Sequence, residues 1–364
     1  MPRKKQYQWD VETNGQEAPE QLSRSAKKRQ SSALQDLGAE QMPKSIDGLM
    51  RYLRDKKGIE ISGSAQKRKL RNIGYYHGYK GYRFVGTSTN TVPYTNFDQV
   101  QAFYDFDMRI KATLYPQLMF IETALKNYVL EELIRFGNSD NFNYIYTTLL
   151  TDYVRLQVGS GPYKDALKRR LSLRDRVYSA LTREYDKNPI IQHFYHNDSN
   201  VPIWAIFEVL TLGEFGTFFW CLNYDVRKAV SKSLGLYQAT DTDAFLTKKI
   251  IFAIRDLRNA VAHNDIVFDT RFSKSRISGS VSSTLEIETG IQNVDFSSIV
   301  DYVVLVAYLL KKLGTSKTDI KKFISDIQNT VETFRASVPS NLFAKVVYTD
   351  TRRKLLQLKD FVSY

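Results

Sequence analysis

The chain has one cysteine, Cys221, in 364 residues, which excludes an internal disulfide and leaves nothing to tie the protein to an oxidising compartment. The cytoplasm is therefore the default expectation. Histidine is almost as scarce: His77, His193, His196 and His263, of which only His193 and His196 lie close together. A lone His-x-x-His without a Cys or acidic partner at ligand spacing makes a weak metal site, so neither a metal nor a cofactor is expected. Long apolar runs are missing too. The longest near the carboxy terminus, residues 302–310, falls well short of the ~20 residues that span a bilayer and reads as a buried helix, so no membrane partner is expected. The first residues, Met1-Pro2-Arg3-Lys4-Lys5, are basic, but no apolar stretch follows them as in a signal peptide. A helix-turn-helix pattern is also lacking, which argues against a DNA-binding regulator.

Positive charge and aromatic rings are abundant. The net charge is +13, the sequence pI is near 9.4, and the chain carries 23 Tyr and 21 Phe, a combination that favours nucleic acid as a partner. Residues 51–83 hold ten Lys or Arg against Asp55 and Glu60, interleaved with rings. Single-stranded RNA binders use this composition for backbone neutralisation and base stacking. Lys67, Arg68, Lys69, Arg71, Tyr75, Tyr76, Lys80, Tyr82 and Arg83 are the candidate contacts there. A second basic patch lies on an amphipathic helix at 164–185, expected to bury Leu167, Leu171, Tyr178, Leu181 and Tyr185. That orientation would leave Lys168, Arg169, Arg170 and Arg174 for RNA.

Apolar periodicity predicts an all-α protein, with 43% hydrophobic residues supplying a substantial core. Residues 1–43 show no sustained period and read as a disordered basic tail. A helix capped by Ser45 should end before Gly58, a short extended piece follows at 59–61, and a second helix should end at Gly74. Residues 97–136 hold a helical period in which Pro116 should make a kink or a break between two helices. Residues 138–161 look loop-like. The run at 200–214 has Pro202 near a helix start and Gly213 at a break, with Glu208 as a carboxylate in an apolar stretch that wants a partner. Next, Leu246, Ile250, Ile254, Leu257 and Val261 form one apolar stripe, and Arg258, Asn259 and His263 fall off it. This helix should stop near Asn264-Asp265. Residues 273–294 suggest a loop or hairpin, and 295–364 further helices packing on the core.

The run Leu257-Arg258-Asn259-Ala260-Val261-Ala262-His263-Asn264, followed by Val267-Phe268 and Arg271, resembles the Arg-(x4–6)-His signature of the HEPN ribonuclease superfamily, and within it the Abi-like, abortive-infection group. Three other stretches are similar to that group. They are the Gly-Tyr-Tyr and Gly-Tyr run at 74–84, Phe106-Asp107 with the later Ile121-Glu122-Thr123-Ala124-Leu125-Lys126-Asn127, and the Pro-Ile-Trp-Ala run from Pro202 to Gly213. The resemblance covers residues 45–271. Asn264 stands where the group usually has a second His, and Asp265-Ile266 stands where an Asn-Arg pair is usual.

The resemblance implies a HEPN-like helical bundle at 44–272 with additional amino- and carboxy-terminal helices, and RNA cleavage without a metal. Arg258, Asn259 and His263 would be catalytic, with Glu208, Asn264 and Arg271 around them. On an ideal helix, residues five apart are rotated by ~140°, so one copy supplies half a cleft and the family's answer is a homodimer. It further implies antiphage defence resembling a toxin–antitoxin system, with a small non-coding RNA or an antitoxin as the silencing partner. The rival reading is a non-cleaving RNA-binding scaffold of the same fold. Arg71 and His77 also fit Arg-x5-His, but Gly74 and the tyrosines between them argue for a turn. Arg109, Glu122, Lys126 and Asn127 either face the active cleft or form a solvated helix face, and the solvated face is the favoured reading.

Overall fold

The computed structural model describes residues 45–273 and 276–364. The expected tail at 1–43 lies outside them. The chain divides into two units, Met1–Leu49 and Met50–Tyr364. Of the first, the described part is the opening turn of a helix, where the Ser45 hydroxyl accepts the N–H of Gly48 as the sequence predicts.

The second unit is organised on one long helix. In chain order the helices are α1 (Ile46–Lys57), α2 (Gly63–Ile73), α3 (Phe97–Gly137), α4 (Phe142–Thr148), α5 (Gly161–Glu184), α6 (Pro189–His196), α7 (Ile203–Val209), α8 (Leu212–Cys221), α9 (Tyr224–Ser233), α10 (Leu246–Ala262), α11 (Gly279–Thr289), α12 (Ile299–Lys312), α13 (Lys317–Ser337), α14 (Ser340–Val346) and α15 (Thr351–Ser363). Among the described residues, extended pairing is limited to isolated bridges, so the all-α expectation holds.

Helix α3 packs against α9, α10, α12 and α13, and buries Phe103, Phe106, Ile110, Leu114, Leu118, Ile121, Leu125 and Val129 along one stripe. It runs through Pro116 as one helix, so of the kink or break expected there the break does not occur. Proline removes the bond to the carbonyl four residues earlier. Here that carbonyl belongs to Ala112, which is exposed like Pro116 itself, so water can satisfy it and core packing carries the helix through. Asn96 caps the start through the Gln99 N–H, and Asn138, at φ 45°, ends the helix.

Four further local expectations are corrected. Residues 138–161 contain α4 and a short 3-10 turn at Asp152–Arg155. Residues 279–289 form α11 where a hairpin or loop was expected, and its Val281 and Leu285 are buried. Gly213 lies inside α8, because the capping box of Thr211 and Glu214 starts this helix at Leu212. Helix α5 turns a different face inward, burying Ala166, Leu173, Val177, Ala180 and Leu181 while Leu171 and Tyr178 stay exposed. Two small alanines let the neighbouring helices approach on that side.

Candidate functional site: the end of helix α10

Helix α10 is pressed from one side by α8, at a point where the two helices nearly touch. An added Cβ on Gly216 would lie 3.0 Å from the Phe252 ring and 3.2 Å from Ile251, so glycine is what permits the approach. From the other side α10 meets α3, which buries Ile250, Ile254 and Leu257 between them.

The helix stops as the sequence predicts. Asn264 is left-handed at φ 58°, the Asp265 N–H reaches the Ala260 carbonyl at 2.8 Å, and the Asn264 N–H reaches that of Val261 at 3.4 Å. This is a Schellman ending, for which Asn is the usual substitute for Gly. The geometry gives Asn264 a reason to differ from a second histidine. Its side chain is also engaged: Oδ1 accepts the Lys111 ammonium at 2.9 Å.

His263 caps the carboxy-terminal end of that helix and is exposed. Its imidazole makes no hydrogen bond or ion pair with any described residue. Arg258, one turn earlier, is half-buried and held. Its Nε donates to Glu122 of α3 at 2.9 Å, and Nη1 lies 3.4 Å from the Asn259 amide oxygen. Glu122 in turn pairs with Lys126 at 3.2 Å, and Lys126 donates to the Leu210 carbonyl at the end of α7. The guanidinium is thus aimed from behind, and Nη2 bonds no described residue. Glu122 is buried, against the favoured expectation of a solvated face: it holds Arg258 directly, and Lys126 holds Glu122 in turn.

A second carboxylate of α3, Asp107, fixes the segment after the motif. Fully buried, it accepts the N–H groups of Val267 and Phe268, each at 2.9 Å, and the Tyr82 hydroxyl at 2.9 Å, and pairs with Lys111 at 2.7 Å. Burial and the Asp107 charge together push the Tyr82 phenol far above its ordinary range. A buried carboxylate with four partners is well satisfied. Sequence reasoning quoted Asp107 without giving it a role and missed Lys111. The available signal was their i,i+4 spacing beside the apolar stripe of α3.

Arg271 is structural. It pairs with Asp269, donates to the carbonyls of Gly81 at 2.9 Å and Phe84 at 2.7 Å, and covers the Phe84 ring. It thereby fastens the aromatic segment at 75–84 to the segment after α10. That segment begins as a π-helical turn, Tyr75–Lys80, where an ordinary turn was expected. An added Cβ on Gly78 would lie 2.7 Å from Ile73, which accounts for glycine there. Tyr79 and Tyr82 are buried, Tyr75 is partly buried, and Tyr76, His77 and Lys80 face outward. Arg71 and His77 are both exposed, on α2 and the π-turn, with left-handed Gly74 between them. Tyr76, Lys80, Arg83 and Tyr104 line a cavity of about 470 Å³ together with Asn264, Asp265 and Ile266.

The remaining sequence candidates divide. Lys168 and Arg174 of α5 are exposed. Arg169 and Arg170 instead serve packing: Arg169 stacks on Trp220 at 3.4 Å, while Arg170 donates to the Leu150 and Tyr146 carbonyls, each at 2.8 Å. Burial lowers the pKa of Arg169. On α2, Arg68 and Arg71 are exposed, and Lys69 pairs with Asp98 at 3.2 Å. Glu208, expected to need a partner, is exposed on α7 and needs none beyond water. Among the described residues no group of three or more His, Cys, Asp and Glu side chains is placed to hold a metal, and no helix is long and apolar enough to cross a membrane.

A helical unit in which four separated sequence runs meet at one helix end defines a shared architecture, and a family profile matches it. Residues 68–269, more than half the chain, match the family described as Abi-like protein. The chain belongs to this Abi-like family, and that membership suggests an abortive-infection type of function. Comparison with curated proteins and with solved structures gave no match.

Proposed function

We propose that the protein is a metal-independent endoribonuclease of the HEPN type, acting in an antiphage abortive-infection or toxin–antitoxin-like system. The observation that carries the reading is the contrast at the end of α10: an exposed, unengaged His263 beside an Arg258 that Glu122 holds by one edge. A proton-transfer group must be free to move a proton, and an anion-binding group must be fixed.

In the proposed reaction the ribose 2′-hydroxyl attacks the adjacent phosphorus. His263 takes the 2′-proton, the bond from 2′-oxygen to phosphorus forms, and the bond from phosphorus to the 5′-oxygen breaks. The leaving 5′-oxygen takes up a proton from water. Arg258 stabilises the charge on the non-bridging oxygens, with Nη2, which bonds no described residue, turned to the phosphate. Asn259 orients the guanidinium or the RNA backbone. Because Arg258 and His263 are rotated apart on one helix, a homodimer supplies the complementary pair. The enzyme would work in the cytoplasm, with a small non-coding RNA or an antitoxin silencing it.

The test is the chemistry of the product ends. Cleavage of a labelled single-stranded RNA should leave a 2′,3′-cyclic phosphate and a 5′-hydroxyl, in the presence of chelator. A 5′-phosphate product would contradict the mechanism.

A further inference from the structure

We propose that the cavity lined by Asn264 and Asp265, the two residues that follow His263, receives one unpaired guanine base of the RNA, and that Asp265 is the residue that reads it. The proposal rests on the ribonuclease reading and names the base next to the cut.

The cavity, about 470 Å³, falls within the ~300–1,000 Å³ typical of small-molecule sites. Its outer wall is built for a nucleotide. The Tyr76 ring is 68% exposed, with the Lys80 ammonium 5.2 Å from its centroid, and Arg83 lines the same wall. Neither Lys80 nor Arg83 has an acidic partner among the described residues. A ring for stacking and two unpaired cations for phosphate would suit any nucleotide.

Asp265 makes the site selective. Its side chain lines the same cavity, is exposed, and forms no ion pair or hydrogen bond with a described residue. A lone carboxylate repels phosphate, so its place in this cavity suits a ligand that brings N–H donors to it. Guanine is the RNA base whose Watson–Crick edge offers two adjacent donors, N1–H and the N2 amino group, matching the two oxygens of a carboxylate. Adenine and cytosine set one amino group beside a ring acceptor, which would face the second oxygen unfavourably. Uracil sets one N–H between two carbonyls. Unpaired bases are commonly recognised by this combination of stacking and edge contacts.

Position links the base to the chemistry. Asp265 lies two residues beyond His263, at most ~7.6 Å away between Cα atoms. The base it reads therefore flanks the phosphate that His263 would act on. The turn holds this spacing, because the Asp265 N–H is fixed to Ala260 and Asn264 to Lys111.

Calorimetric titration of the full chain with the 3′-monophosphates of guanosine, adenosine, cytidine and uridine tests the assignment without requiring cleavage. The guanosine nucleotide should bind roughly tenfold tighter or better, the scale of one bidentate base contact. Asp265→Asn should abolish that preference at unchanged melting temperature, and Tyr76→Ala should weaken all four alike. Equal affinity for the four, no binding at millimolar nucleotide, or a preference that survives Asp265→Asn overturns the guanine assignment and leaves His263-dependent cleavage untouched. Guanine selection by a protein that never cleaves RNA would instead overturn the ribonuclease reading.

Discussion

Glu122 accepts the Nε–H of Arg258 at 2.9 Å, joining the middle of α3 to the last turns of α10 across 136 residues of sequence. The carboxylate is buried and the guanidinium only partly so, so this hydrogen bond fixes one edge of Arg258 and leaves the other toward solvent. Glu122→Gln should keep the fold, because the amide oxygen can still accept from Arg258 or Lys126. Its cleavage rate should fall by more than its affinity for RNA does. Steady-state kinetics checks this: a drop in kcat with little change in KM is expected, and an unchanged kcat would remove Glu122 from the positioning role.

Asp107 is a structural counterpart of Glu122. Asp107→Ala would leave the Lys111 ammonium and two backbone N–H groups without their acceptor in a buried place. Breaking one side of a buried pair costs ~3–5 kcal/mol. Thermal or denaturant unfolding should register a loss of that order, and a loss below ~1 kcal/mol would show that the network is replaceable by water.

Charge neutralisation should separate RNA binding from packing. Arg68→Gln with Arg71→Gln should reduce the salt dependence of RNA binding by a slope of ~0.7 for each phosphate that is no longer neutralised, with no change in melting temperature. Arg169→Gln and Arg170→Gln should do the reverse, because both side chains stack and hydrogen-bond inside the fold. Filter binding over a salt series and a melting curve for each variant decide between the two.

Lys248 supplies a pH-dependent test of packing. Its ammonium lies 4.0 Å from the Phe245 ring centroid and 4.2 Å from that of Trp220. Burial, with Lys249 next, pushes its pKa down to about 8 from the ordinary 10.5. The folded state thus disfavours the charged form, a penalty fully present below about 8 and gone above about 10.5. Lys248→Met should therefore raise the melting temperature at neutral pH, and the gain should shrink as pH climbs through that window. A gain that does not vary with pH would assign the effect to methionine packing alone.

Much of this architecture is legible in the sequence, for identifiable reasons. The stripe from Leu246 to Val261 and the Asn264-Asp265 stop set the frame of α10, and both follow from local chemistry that needs no tertiary information. Pro116 and residues 279–289 misled because tertiary burial overrides local propensity: α3 has solvent at Ala112 to absorb the lost bond, and α11 has Val281 and Leu285 to bury. Arg258 and His263 are visible as a motif, yet the difference between them is not. That one is held and the other free depends on Glu122, whose place beside α10 is a fact of packing. The rotated face of α5 moved Arg169 and Arg170 from surface to interior for a similar reason, since two alanines outweigh Leu171 and Tyr178 once a partner helix is present.

The most direct test of the central claim compares wild type with His263→Ala on a labelled single-stranded RNA, after any copurifying RNA has been stripped away. Oligomeric state, RNA affinity and melting temperature should be measured on the same samples. The exposed imidazole leaves no cavity behind, so His263→Ala should match wild type in melting temperature, oligomeric state and RNA affinity. Its cleavage rate should fall by ~10²–10⁴, the scale of a lost acid–base group. Wild-type cleavage by His263→Ala, or no cleavage by a stripped and dimeric wild type, would contradict the account and favour an RNA-binding scaffold that does not cut.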